Sequence, residues 1–254
     1  MLRNLDYPEY LYSGLKGKSF IDNAKMHSGK YYTFKIDISK FFPNTSRNKV
    51  YYFFKKNLQT SADVAKILTD CTTVDIRNYR CNKNYNEIID YLEVVQIKQI
   101  AHLSTGAPSS MILSYLANQD MFEELFSFCK KKKYIFTVYA DDVTISSLEP
   151  ISFKDRKAII EITNKYGHIV SNRKVKYYKV NNNKKITGVV ININGEMRTS
   201  NKLIKKTHLK ILKLKSKSID NSEIKSLKGC VNVAYQIDNR FKHLKEILKS
   251  YKTI

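Results

Sequence analysis

The chain has 254 residues, with 45 basic and 23 acidic side chains, a net charge of +22 and a pI near 9.7. Its 43% hydrophobic content supports a buried core and excludes a disordered chain, and its length corresponds to one large domain or a domain with an appendage. No apolar run approaches the roughly 18–20 residues of a membrane-spanning helix, and the N-terminus lacks a signal-peptide core, so the reading is a cytoplasmic protein with no membrane partner.

In chain order, the first thirty residues are polar and turn-rich, with Gly14, Gly17 and Gly29. Residues 31–38, YYTFKIDI, are β-branched and aromatic enough to predict a strand. Ser46 is a candidate cap for a helix through Val50, Phe53 and Phe54 to about Leu58, and Ser61 for another through Val64, Ile67 and Leu68. Residues 71–90 read as a polar excursion, and EVVQIKQI (93–100) as a strand. STGAPSSM (104–111) is a turn-rich loop opening a helix to about Phe128. The run Lys130–Lys133 closes that helix favourably, since cations suit a C-terminus. YIFTVY (134–139) and VTIS (143–146) predict a hairpin around Ala140, Asp141 and Asp142. Residues 153–166 have a helical pattern with Gly167 as C-cap. KVKYYKV (174–180) and KKITGVVINI (184–193) read as a last pair of strands around an Asn-rich turn.

After Arg198 the pattern is helical. Ile224, Leu227, Val231 and Ala234 share one face, and Phe241, Leu244, Leu248 and Tyr251 another. This order predicts an α+β domain with a helical appendage. The charge follows the same division: +4 over residues 1–150, +8 over 151–200 and +10 over 201–254. A basic region of this density points to a polyanion, most often nucleic acid; a solvated lysine-rich surface is the alternative reading. Cys71, Cys81, Cys129 and Cys230 are spaced for neither a zinc site nor a disulfide framework and read as reduced thiols.

Asp37 ends an apolar strand, and Asp141 and Asp142 sit at a tip between two more. Aspartates at turns are ordinary. Carboxylates at the ends of strands buried in a sheet are costly unless a cation neutralises them. Two hard divalent cations on such carboxylates suit phosphoryl transfer, one activating the attacking oxygen and one stabilising the leaving phosphate.

Tyr139-Ala140-Asp141-Asp142 between two strands resembles the Y-A-D-D motif of reverse transcriptases. Asp37-Ile38-Ser39-Lys40-Phe41-Phe42-Pro43 resembles that family's first aspartate motif. Gly106-Ala107-Pro108-Ser109-Ser110 followed by Leu113-Ser114-Tyr115-Leu116-Ala117-Asn118 is similar to its G-A-P-[ST]-S motif, although Ser104-Thr105 stands where Pro-Gln is common. Asn23-Ala24-Lys25-Met26-His27 matches the N-A-x-x-H signature of bacterial retron reverse transcriptases. Ile186-Thr187-Gly188 resembles their V-T-G triplet, and Gly14-Leu15-Lys16-Gly17-Lys18-Ser19 their basic glycine segment.

The resemblance implies a right-hand polymerase: a palm of antiparallel sheet and helices over residues 31–200, with a fingers-side helical insertion at about 44–100. It also implies a basic helical thumb over 201–254, and a remnant of the fingers with the N-A-x-x-H region over 1–30, the fingers being reduced or N-terminally truncated. Asp37, Asp141 and Asp142 would be catalytic and, with the Ile38 backbone, hold two Mg²⁺ ions, with Mn²⁺ as the alternative. Phe42 matches the steric gate that favours dNTPs, while Phe41 packs inside. Gly106, Ala107, Pro108 and Tyr139 would meet the nucleotide or primer end. Asn172 with Lys174 or Lys176 follows as the next motif, a sheet-edge lysine being the equal alternative. Asn23, His27, Lys202, Lys205, Lys206, Lys210 and Lys213, with Lys215 and Lys217, would contact RNA, His27 having a structural role as its alternative.

The implied activity is RNA-directed DNA synthesis on a bound structured non-coding RNA, giving an RNA–DNA product, in anti-phage defence with a separate effector protein. Two other readings stay open: a defence-associated reverse transcriptase with untemplated synthesis, and a non-catalytic RNA-binding scaffold.

Overall fold

The computed structural model describes residues 2–216 and 219–249. A six-residue helix, α1 (Phe20–Lys25), precedes strand β1 (Tyr32–Asp37). α2 (Arg47–Tyr52) begins where Ser46 Oγ accepts the Lys49 N–H at 3.3 Å, and continues as a wider π turn over Phe53–Asn57. α3 (Ala62–Thr72) begins in the same way, with Ser61 Oγ accepting the Val64 N–H. Each serine satisfies a helix amide that has no partner within the helix.

β2 (Thr73–Asp75) and α4 (Tyr85–Val94) occupy the stretch expected to be an excursion, and β3 (Ala101–Leu103) pairs antiparallel with β2. The strand expected over 93–100 is therefore absent. α4 consumes its start, and residue 96 turns the chain back with a φ of 61°. α5 (Ser110–Leu116) and α6 (Gln119–Lys131) replace the single helix expected, broken where Ala117 ends one and Asn118 begins the next.

β4 (Ile135–Tyr139), β5 (Asp142–Ser147), α7 (Phe153–Lys165) and β6 (Lys176–Tyr178) follow closely on expectation. KKITGVVINI is not one strand but a tight hairpin, β7 (Lys184–Ile186) and β8 (Val189–Ile191), continued by β9 (Met197–Arg198). Thr187 and Gly188 turn it with φ of 43° and 95°, the pair of positive angles that closes two-residue hairpins. α8 (Asn201–Lys215), α9 (Asn221–Ile237) and α10 (Lys242–Lys249) complete the chain. Tyr251 and Lys217 lie outside the described residues.

These elements form two packing units, residues 2–19 with 32–177, and residues 20–31 with those from 178 onward. This differs from boundaries at 30 and 200. The physical reason is the core of the second unit, where Ile21 and Ala24 of α1 bury against Ile186, Val189 and Ile191 of the small sheet and Ile237 of α9. A separate cluster of Leu227, Val231 and Leu248 joins α9 to α10.

The first unit is built on a sheet in the order β4-β5-β1-β6. Alternation divides its faces. Phe34 and Ile36 of β1, Phe136 and Val138 of β4, and Val143 and Ile145 of β5 bury in one cluster with Met121, Phe122, Leu125 and Ile159 of the helices. Each fully buried side chain of this size contributes about 1.5–3 kcal/mol. The other face carries Thr33, Lys35 and Asp37 on β1, facing Ser146, Thr144 and Asp142 on β5. A polar sheet face thus ends in two aspartates.

Candidate active site

Asp37 and Asp142 are paired across the β1–β5 ladder, and Tyr139 pairs with Asp142 across β4–β5. Ala140 and Asp141 form the two-residue connection between β4 and β5. Ala140 takes a φ of 55° there, a left-handed value that costs a side-chain-bearing residue about 1–2 kcal/mol. Its N–H donates to Ser13 Oγ at 2.9 Å, and the Asp141 carbonyl accepts the Ile38 N–H at 2.8 Å. The turn is thereby tied to both flanking segments, and Asp141 stands at its tip.

The carboxylates are electrostatically strained. Burial raises Asp141 above the ordinary carboxylate range, and the neighbouring Asp37 charge adds to this. Burial also raises Asp142, against the opposing pull of Lys35. Lys35 Nζ lies 2.6 Å from Asp142 Oδ2, and Lys174 Nζ lies 2.8 and 2.9 Å from the two oxygens of Asp37. That hydrogen bond raises the Lys174 pKa, so the lysine stays cationic. Lys35 was not among the sequence candidates. It lies two residues before Asp37 on the same strand face, so the strand period carried the signal.

The donor set suits a hard divalent cation. Asp142 Oδ1 is buried without a hydrogen-bond partner, and the Asp37 charge adds to the raised pKa of both Asp141 and Asp142. Among the described residues, no three carboxylate, imidazole or thiol groups converge as a metal's ligands do. Lys35 and Lys174 provide the positive charge beside Asp142 and Asp37.

A cleft of about 550 Å³ opens beside the aspartates, lined among others by Asp37, Phe42, Thr105, Asp141, Ser171 and Lys174. Phe42 is half-buried there, while Phe41 is 2% exposed and packs edge-on against Phe122. Of the Gly106-Ala107-Pro108 run, none lines this cleft. Pro108 lines a different one, with Tyr7, Lys16 and Lys18. Tyr139 is half-buried at the end of β4 and Ile38 is fully buried.

In the second unit, the expectation of RNA contact at Asn23 and His27 is corrected: both are wholly buried. Asn23 Nδ2 donates to Thr187 Oγ1 at 3.4 Å, and Thr187 Oγ1 in turn donates to the Phe20 carbonyl at 2.8 Å. The signature thus packs on the Ile186-Thr187-Gly188 hairpin. Burial, with the nearby Lys184 charge, pulls the His27 imidazole down to about 3, so it is neutral. Gly195 meets this segment closely: a Cβ there would stand 2.5 Å from Gly29 Cα. Lys202, Lys205 and Lys206 are exposed on α8 and Lys210 is half-buried. Lys213 is ion-paired with Glu223 at 2.6 Å. No described helix is long and apolar enough to cross a membrane, and the four cysteines are unpaired.

No family model matches the chain. It is 28% identical to the retron Ec83 reverse transcriptase of Escherichia coli over 230 residues, covering 89% of this chain and 68% of that protein. It is 27% identical to the retron Se72 reverse transcriptase of Salmonella heidelberg, over 64% of this chain and 36% of that one. The retron Ec86 reverse transcriptase of Escherichia coli matches at 27%, over 69% and 47% respectively. The chain thus spans about two thirds of the first relative and less than half of the other two. Two solved telomerase structures, from Candida albicans and Candida tropicalis, align with TM-scores of 0.46 and 0.49 at 12% and 11% identity. They cover 92% and 91% of this chain and 43% and 46% of theirs, a likeness too loose to add to the assignment. With the motifs in order, the chain is similar to three retron reverse transcriptases over 64–89% of its length.

Proposed function

We propose that this chain is an RNA-directed DNA polymerase that copies part of a structured RNA into DNA. The observation that carries the reading is the cross-strand pairing of Asp37 with Asp142, with Asp141 at the adjoining tip, beside a cleft that also takes in Phe42 and Lys174. In this reading Asp37, Asp141 and Asp142 hold two divalent cations, Mg²⁺ by the hardness of the oxygen donors. When bound, such cations lower the pKa of the attacking hydroxyl and offset charge on the leaving phosphate.

The protein's own side chains do the rest. Lys35 fixes one oxygen of Asp142, which leaves the partnerless Oδ1 for a ligand. Lys174, kept cationic by Asp37, supplies positive charge at the cleft, where a triphosphate would lie. Phe42 narrows the cleft where a ribose 2′-hydroxyl would need room. Exposed lysines of α8 contact phosphates without reading sequence. The retron likeness extends the proposal to a non-coding RNA partner, an effector protein and a role in anti-phage defence.

The test is to purify the protein with its co-expressed neighbouring RNA and to sequence any DNA made with Mg²⁺ and dNTPs. Complementary DNA from one region of that RNA supports templated copying. DNA unrelated to it points to untemplated synthesis, and RNA binding without DNA points to a scaffold.

A further inference from the structure

The turn after α4 reaches the same cleft as the aspartates, although it lies far from them in sequence. Ile97, half-buried, lines the cleft with Asp37, Phe42 and Asp141. It also lines a neighbouring cleft of about 820 Å³ with Leu92, Ile100 and Ile169. Ile97 is therefore common to the walls of the two clefts. Its placement is enforced. Gln96, just before it, holds a φ of 61°, a conformation that side-chain-bearing residues adopt only when their surroundings impose it.

The left-handed residue closes the C-terminus of α4, and the turn is further held by Asn44, 7% exposed, two residues beyond the aromatic pair Phe41-Phe42. Asn44 Oδ1 accepts the Lys98 N–H at 2.9 Å, and Nδ2 makes longer contacts to the carbonyls of Gln96 at 3.4 Å and Ser39 at 3.5 Å. One buried amide thus grips the backbone on both sides of Ile97, as a neighbouring strand would. The Ile97 N–H donates to the Leu92 carbonyl at 2.8 Å, which anchors the turn to α4.

We propose that Ile97 is an apolar binding wall of the nucleotide cleft, bearing on the flat apolar surface of an incoming deoxynucleoside triphosphate, and that Asn44 is the residue that positions it. The inference rests on the polymerase reading above. Truncating Ile97 removes apolar contact and joins the two clefts, so the nucleotide binds less well, while the aspartates that act on it are untouched.

The experiment measures dTTP incorporation on oligo(dT)-primed poly(rA) by wild type, Ile97→Ala, Asn44→Leu and Asn44→Asp, with thermal unfolding of each. Ile97→Ala is expected to raise KM for dTTP about ten-fold with kcat nearly unchanged, the size expected for lost apolar contact in a pocket. Asn44→Leu is expected to reproduce the rise. Asn44→Asp keeps the acceptor for the Lys98 N–H and recovers part of it. If wild type incorporates dTTP and Ile97→Ala, folded, has an unchanged KM or loses only kcat, the wall is refuted and the polymerase reading stands. Absence of incorporation by wild type on this template and on its own co-expressed RNA overturns both.

Discussion

Asp37 and Asp142 face each other directly across two central strands, and each has its own lysine, Lys174 for the first and Lys35 for the second. Like charges directly opposite in a sheet are destabilising, so this arrangement serves something other than stability.

Asp141 makes that measurable. Its carboxyl is raised above the ordinary value by burial and by Asp37, so over the window between the ordinary and the raised value the folded state binds the proton more tightly than the unfolded chain. Stability therefore falls as pH rises through that window. Asparagine carries no such charge. In thermal unfolding without divalent cations, Asp141→Asn should be more stable than wild type at neutral pH, and the difference should vanish below the ordinary carboxylate range. A destabilised variant at neutral pH would contradict the strain.

Lys184 is a second buried charge, 1% exposed, its amine donating to the carbonyls of Gly29 at 2.9 Å and Tyr31 at 3.1 Å. Desolvation pulls its pKa down from 10.5 to about 8. Above about 8 the unfolded chain keeps a proton that the folded protein has shed, so stability rises with pH up to about 10.5. Urea unfolding at several pH values should show this rise in wild type and its loss in Lys184→Met. Equal pH slopes would contradict a lysine titrating in the fold.

Asn118 joins three parts of the first unit. Its Oδ1 takes contacts from Lys49 Nζ and His168 Nε2, both at 2.7 Å, while its Nδ2 donates to Thr45 Oγ1 at 3.0 Å and the Ser114 carbonyl at 2.9 Å. Thr45 Oγ1 passes the link on to the Phe41 carbonyl at 2.9 Å. Replacing Asn118 with leucine strands several buried polar groups and should cost about 3 kcal/mol, with Thr45→Val costing about 1 kcal/mol. Denaturant titration reads both.

Of the α8 lysines, those exposed and the one that is ion-paired should behave differently. Lys205→Ala and Lys206→Ala should each weaken RNA binding and reduce the log–log salt slope by about 1. Lys213→Ala should change the slope less, because its ammonium already faces Glu223. Filter binding at a series of salt concentrations separates them.

Much of this was legible in the sequence for physical reasons. β1 and the β4–β5 hairpin are strongly apolar, β-branched runs around aspartates, and Ser46 and Ser61 cap the helices they were expected to cap. What misled was local propensity overridden by context. Val94-Val95 drew a strand over 93–100, although Tyr85, Ile88, Ile89 and Leu92 carry the helical spacing that α4 follows. Thr187-Gly188 is a turn pair inside a run that otherwise reads as one strand. The burial of Asn23 and His27 follows from the packing of α1 on residues more than 150 positions away, and the grip of Asn44 on the 96–98 turn spans more than 50. Contacts of that range leave no periodic trace in a single sequence.

The central claim is that Asp37, Asp141 and Asp142 act together in nucleotidyl transfer. Single-nucleotide incorporation on a primed RNA strand in Mg²⁺, by wild type and by Asp37→Asn, Asp141→Asn and Asp142→Asn, tests it most directly. Incorporation by wild type with a fall of about 100-fold or more in each folded variant is the predicted result. Wild-type rates in any one of the three would contradict it.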